Sequence, residues 1–275
     1  MPLLFLYSCG KTSGNAPQTL SSESNLPSSA IVYGKVTDSL TGNPLANVSI
    51  AIKSGTNVIS TVNSDSSGQY SFAEITNGNY TISFQLANYV SVDAVPFVLA
   101  GVAFNINKSM SPPTLSGQMR IVLSWYAENP LVPNIANDLD AYFLNLTENS
   151  FTNYTNTSQN WLDGSSATLD NDSVNYSGPE TITISNINST SNYTFYVHNF
   201  SNYSDCNSLA ASGVHVDVYS GGTLIKSYDI PVAPNGGGAV YEFFNIQNGV
   251  IVDKKIYNES LPIDPASSTP AFCTR

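Results

Sequence analysis

The sequence is short of positive charge. Its 275 residues hold 9 Lys and Arg against 20 Asp and Glu, a formal net charge of −11. Nucleic-acid binding depends on basic patches that neutralise phosphate, so this balance excludes it. Charged residues of both signs make up 11% of the chain, where about 25% is usual. Only two histidines occur, His198 and His215. That excludes a histidine-rich zinc centre. Neither histidine lies in a Gly-x-Ser-x-Gly or similar nucleophile motif, and His215 falls on the polar face of an alternating stretch, where it is expected to be exposed. No segment approaches the roughly 20 apolar residues of a membrane-spanning helix, and no long stretch repeats apolar residues at helical spacing. The chain therefore reads as non-enzymatic.

The composition is rich instead in Asn, Ser, Thr, Gly and β-branched residues, with 16 Tyr. This pattern points to an all-β, extracytoplasmic protein. Length allows one large or two medium domains. Three cysteines are present, Cys9, Cys206 and Cys273. The first ends a short apolar run, Leu3 to Gly10, that resembles a bacterial lipobox. By that resemblance residues 1–8 are a partial lipoprotein signal, and Cys9 carries the lipid that anchors the chain to a membrane, outer membrane or cell surface. No Lys or Arg precedes the run, a departure from the usual signal. Residues 9–29, with few apolar side chains, read as a flexible tether. In an oxidising compartment Cys206 and Cys273 are expected to form a disulfide that pins the tail 257–275; the alternative is two free thiols.

Residues 30–112 alternate as short strands. Val48, Ile50 and Ile52 share one face, and Asp65-Ser66-Ser67-Gly68 and Asn77-Gly78 supply turns. Seven or so strands at this spacing make a small antiparallel sandwich. Gly34-Lys35-Val36-Thr37-Asp38, Thr41 to Val48, Asp65 to Phe72 and Gly78 to Ile82 resemble the carboxypeptidase regulatory-like domain, which is transthyretin-like and belongs to a carbohydrate-binding-like fold. The resemblance implies an accessory module without catalytic residues. Tyr33, Tyr70 and Tyr80 read as core or turn-flanking aromatics rather than a sugar platform.

Ser111-Pro112-Pro113 marks a boundary. Residues 113–256 form a second antiparallel sandwich with longer loops, and Val214 to Tyr228 reads as a hairpin around Gly221-Gly222. Between Ile121 and Ile225 there is no Lys or Arg, yet ten carboxylates occur. Clustered acids without basic partners repel each other, and a buried one shifts its pKa or takes a cation. Asp138 and Asp140 share a strand face, and Asp170 and Asp172 repeat that spacing. These four, with Glu180, are the candidate ligands, and hard carboxylate oxygens suit Ca²⁺. The spacing is not that of an EF-hand. The competing reading is that the acids cap turns. This half resembles YfaP-like domains and, more loosely, prepeptidase C-terminal domains, on Ser124-Trp125, Asp138-Leu139-Asp140, Leu169 to Ser173, Gly178-Pro179-Glu180 and Tyr193 to Val197. The family resemblance implies no enzymatic role and is compatible with Ca²⁺.

The expectation is thus an all-β, two-sandwich envelope lipoprotein acting in adhesion or binding, with a membrane and a glycan or envelope protein as partners. One alternative is a carbohydrate-binding surface protein serving glycan capture. Another is a hydrolase using the acidic loops.

Overall fold

The computed structural model describes residues 28–99, 103–125, 137–174, 178–202, 204–205, 207–231 and 237–258. The expected lipid anchor at Cys9 and the expected Cys206–Cys273 disulfide lie outside the described residues. The chain forms two β-sandwiches in tandem. Among the described residues no helix is long and apolar enough to cross a membrane.

The first sandwich contains β1 (Ser29–Asp38), β2 (Ser49–Ser54), β3 (Asn57–Asn63), β4 (Gln69–Thr76), β5 (Gly78–Gln85), β6 (Val92–Leu99), β7 (Ala103–Asn105) and β8 (Lys108–Met110). One sheet runs β4-β1-β7 with β8 also on β1; the other runs β3-β2-β5-β6. Alternation along β1 buries Val32 and Val36 and turns Ile31, Tyr33 and Lys35 outward. The inner faces enclose Ile50, Ile52, Phe72, Ile82 and Phe84. Tyr70 packs edge-on against Phe72 and Phe84, each with centroids 5.9 Å apart, and its hydroxyl donates to the Ile106 carbonyl at 2.6 Å. Gly34 lets β1 approach that same carbonyl, since a Cβ there would lie 1.9 Å from Ile106 O. The sandwich departs from the expected antiparallel pattern at one place: β7 and β8 run parallel to β1. The chain crosses from β6 in one sheet back to β1 in the other, so it arrives in the same direction as β1.

The second sandwich contains β9 (Gln118–Ser124), β10 (Leu139–Asn145), β11 (Ser150–Thr152), β12 (Ser158–Asn160), β13 (Ser166–Asn171), β14 (Glu180–Ser185), β15 (Tyr193–Asn199), the single turn α1 (Ser208–Ala211), β16 (His215–Ser220), β17 (Thr223–Asp229), β18 (Val240–Gln247) and β19 (Val250–Asn258). Its sheets are β11-β10-β15-β18-β19 and β12-β13-β14-β9-β16-β17. The core is aromatic: Phe143 stacks on Tyr193 at 5.5 Å and Phe195 on Phe244 at 5.5 Å. Trp125 is buried and its indole N–H donates to Asn137 O at 2.8 Å. The hairpin β16–β17 forms as expected, and β19 takes in Tyr257 and Asn258, two residues of the expected tail.

The two sandwiches meet at a buried joint. Met110 and Ser111 are fully buried. Arg120 of β9 donates to Ser111 Oγ at 2.9 Å and to Pro112 O at 2.8 Å, fixing the proline-containing connection. Thr181 Oγ1 donates to Ser39 O at 2.6 Å. Val90 of the first sandwich packs with Val122 and Tyr219 of the second. Lys108 forms an ion pair with Asp217, both buried. The expectation of an exposed His215 fails here. Its side chain is 24% exposed, and it bonds Asp217 and Asp229. The polar face of β16 is a contact face, because the first sandwich covers it.

Candidate functional site

The acids of the basic-free span separate by what neutralises them. Glu148 accepts the amides of Leu162 and Asp163, both at 2.9 Å. Asp163 accepts the Ser165 amide at 2.8 Å, and Asp205 the Asn207 amide at 2.9 Å. Asp163 and Asp205 are turn caps of the usual kind, whereas Glu148 holds the turn at Leu162-Asp163 from a distance. Asp217 is ion-paired, and the Lys108 and His215 charges hold its carboxyl well below the usual range against the effect of burial. Among the described acids of the span, four others have no basic partner: Asp138, Asp140, Asp172 and Glu180.

Strand geometry brings these four together. Glu180 opens β14 opposite Leu123 and alternates with the core residues Ile182 and Ile184, so it points into the sandwich. It follows Gly178-Pro179, where a Cβ on Gly178 would stand 3.0 Å from the Trp125 ring. β11 pairs with β10 only from Phe143 to Asn145, leaving the Ala141 amide unpaired on that side. Glu180 Oε2 accepts it at 2.7 Å. This draws Glu180 beside Asp140. Both acids are almost wholly enclosed, at 1% and 4% exposure. Glu180 Oε1 and Asp140 Oδ2 are buried without a hydrogen-bond partner. Asp138 is half-buried, and its amide donates to Ser201 Oγ at 2.8 Å. Asp172 is exposed and follows the end of β13.

The electrostatics record the crowding. Burial, then the charges of Asp138 and Asp172, push Asp140 up to about 8. Burial and the Asp140 charge raise Glu180 well above its ordinary value, against the pull of the Ala141 amide. Burial and Asp172 raise Asp138. Among the described residues these four acids share one field with no counter-charge. Among the described residues, no three acidic, histidine or cysteine side chains stand close enough to hold a metal ion in their present rotamers.

Asp170 is not part of this group. β13 bulges between Leu169 and Asn171, which breaks the alternation expected to align Asp170 with Asp172. Asp170 instead accepts the Thr183 hydroxyl and lies in the field of Arg120, on the side of the joint.

A second constellation was not foreseen. Ser227 Oγ lies 3.2 Å from His215 Nε2, and His215 Nδ1 lies 2.6 Å from Asp229 Oδ1. The connectivity is that of a nucleophilic triad, but the protonation is not. His215 Nε2 also bonds Asp217 Oδ1 at 3.0 Å, and Ser227 donates to that same carboxylate at 2.8 Å. Burial opposes charge on His215, yet Asp217 and Asp229 raise it to about 9. Both ring nitrogens face carboxylates, an arrangement that favours the imidazolium over a general base. With Lys108, the cluster ties β16 and β17 to the first sandwich. The signal in the sequence was the alternation of His215 and Asp217 on β16 opposite Ser227 and Asp229 on β17.

Of the three tyrosines expected in core or turn positions, Tyr70 is buried, and Tyr80 donates to Thr76 O at 2.8 Å. Tyr33 departs from the expectation: it is 41% exposed on the outer face of β1.

No curated protein matches the chain. Several solved structures resemble it loosely. A proposed carbohydrate-binding protein from Bacteroides uniformis is 13% identical, covering 75% of this chain and 98% of its own, at a TM-score of 0.28. A DUF3823 family protein from Bacteroides ovatus is 12% identical, covering 74% and 100%, at 0.26. BcpA, the major pilin subunit of Bacillus cereus, is 9% identical, covering 73% and 68%, at 0.28. These likenesses are too distant to carry a function. Residues 31–109, which run from β1 into β8 of the first sandwich, match the carboxypeptidase regulatory-like domain.

Proposed function

We propose that this chain is a non-enzymatic binding or adhesion protein of the cell envelope, held to the membrane by lipid on Cys9, whose second sandwich is locked by Ca²⁺. The observation that carries the calcium reading is the pair of buried, unpartnered oxygens, Asp140 Oδ2 and Glu180 Oε1, in a group of four acids without a basic partner. Leaving such atoms unsatisfied costs several kcal/mol unless a proton or cation meets them. The donor set is all carboxylate, which suits a hard cation such as Ca²⁺ and neither zinc nor copper. Glu180 and Asp140 would be the fixed ligands. Asp138 and Asp172, less buried, would complete the set by side-chain rotation. The cation would tie the start of β14 to the edge of β10, joining the two sheets of the second sandwich.

Calorimetric titration of the whole chain with CaCl₂ tests this reading. It calls for one saturable site in the wild type and none in the Asp140→Asn/Glu180→Gln double variant. A wild-type titration without binding heat at several temperatures refutes it. For the anchor, Cys9→Ala should move the protein from the membrane to the soluble fraction; unchanged fractionation refutes lipid attachment at Cys9.

A further inference from the structure

The exposed face of β4-β1-β7 carries a groove of about 760 Å³ that the calcium reading does not use. The strand register sets its chemistry. Tyr33 stands between Ser71 of β4 and Asn105 of β7, and Lys35 pairs with Gln69. Asn107 closes that row, its Oδ1 accepting the Lys35 amide at 2.9 Å. Ile31 and Tyr33, at 46% and 41% exposure, give the groove an apolar strip. Side-chain amides flank the strip on both sides. The charges lining the groove, Lys35 and Asp65, are of opposite sign.

These features select the occupant. An exposed tyrosine ring offers a flat face for C–H groups and a polar rim. Side-chain amides donate and accept at once, as a sugar hydroxyl does. A groove with balanced charge has no preference for an anionic or cationic ligand. An extended peptide would seek an unpaired strand edge, whereas Tyr33 lies on β1, which is paired on both sides. We infer that this groove binds a neutral polysaccharide, with Tyr33 stacking on a pyranose ring and Asn105 and Asn107 bonding its hydroxyls. The site lies in the first sandwich and does not depend on the cation in the second.

Affinity electrophoresis of the whole chain through gels containing β-glucan, xylan, mannan or α-glucan, run in Ca²⁺ and in EDTA, tests the inference. At least one of these neutral polymers should retard the protein equally in both buffers. Tyr33→Ala and Asn105→Ala should each weaken the retardation about five- to tenfold, with wild-type melting curves showing that the fold is kept. Retardation by none of the four polymers overturns the inference. So does retardation that survives both substitutions, since the sugar would then sit elsewhere. Retardation lost in EDTA would likewise overturn it by placing the sugar at the cation site.

Discussion

Lys108 of the first sandwich and Asp217 of the second form a buried ion pair across the joint, with side chains 7% and 3% exposed. Each comes from a separate sandwich, and within the second sandwich Asp217 is also met by His215. An exposed pair contributes little to stability, but a buried charge stripped of its partner costs about 3–5 kcal/mol.

Lys108→Ala should therefore destabilise the whole chain by about 3–5 kcal/mol. Replacing both partners, as Lys108→Met with Asp217→Leu, should recover part of that loss. Urea unfolding measures both. A Lys108→Ala midpoint within the range of an exposed pair would show that the two sandwiches do not dock as described.

His215 gives the joint a pH dependence. Burial opposes its charge, but Asp217 and Asp229 raise its folded value to about 9, with Lys108 opposing; the unfolded value is about 6.5. Protonated His215 thus stabilises the fold fully below about pH 6.5, and the contribution fades as pH rises toward 9. Unfolding free energy should fall across this window in the wild type and stay flatter in His215→Gln. Equal slopes would contradict this pairing.

Asp140 has the same pH direction, because its folded value is also raised, but here the charged form is the destabilising one. Its ionised form is disfavoured in the fold, because burial and neighbouring acids raise its carboxyl. In EDTA at neutral pH, Asp140→Asn should raise stability by about 1 kcal/mol or more. A loss of stability in EDTA would mean that the carboxylate has a partner in the metal-free protein.

Much of this architecture was legible in the chain. The alternation of Val32 and Val36, the turns at Gly68 and Gly221-Gly222 and the proline-marked boundary all report local geometry, which period-two patterning records. What was illegible depends on distant partners. Asp217 looks like an ordinary polar position on β16; only docking of the first sandwich makes it buried. Asp170 shares its spacing with Asp172, but the bulge in β13 sends it to Arg120. Glu180 joins Asp140 because β11 is too short to cover the Ala141 amide, a relation between the β10–β11 hairpin and a strand about 40 residues further on. The absence of Lys and Arg over the acidic span was visible at once, and it picked out the region that holds the four unpaired acids without telling them from the turn caps beside them.

Gly34 tests the close approach in the first sandwich. A methyl group there would meet the Ile106 carbonyl at 1.9 Å, and that carbonyl is also held by Tyr70. Gly34→Ala should cost about 1–3 kcal/mol from overpacking. A wild-type melting temperature would show that β1 and the segment after β7 do not pack as closely as described.

The most direct measurement is thermal unfolding of the whole chain in Ca²⁺ and in EDTA, for wild type and for Asp140→Asn/Glu180→Gln. A cation at about 100 times its dissociation constant adds roughly 2.7 kcal/mol, a shift of a few degrees for a protein of this size. The account predicts that shift in the wild type and its absence in the double variant. Wild-type curves that coincide in the two buffers would contradict it.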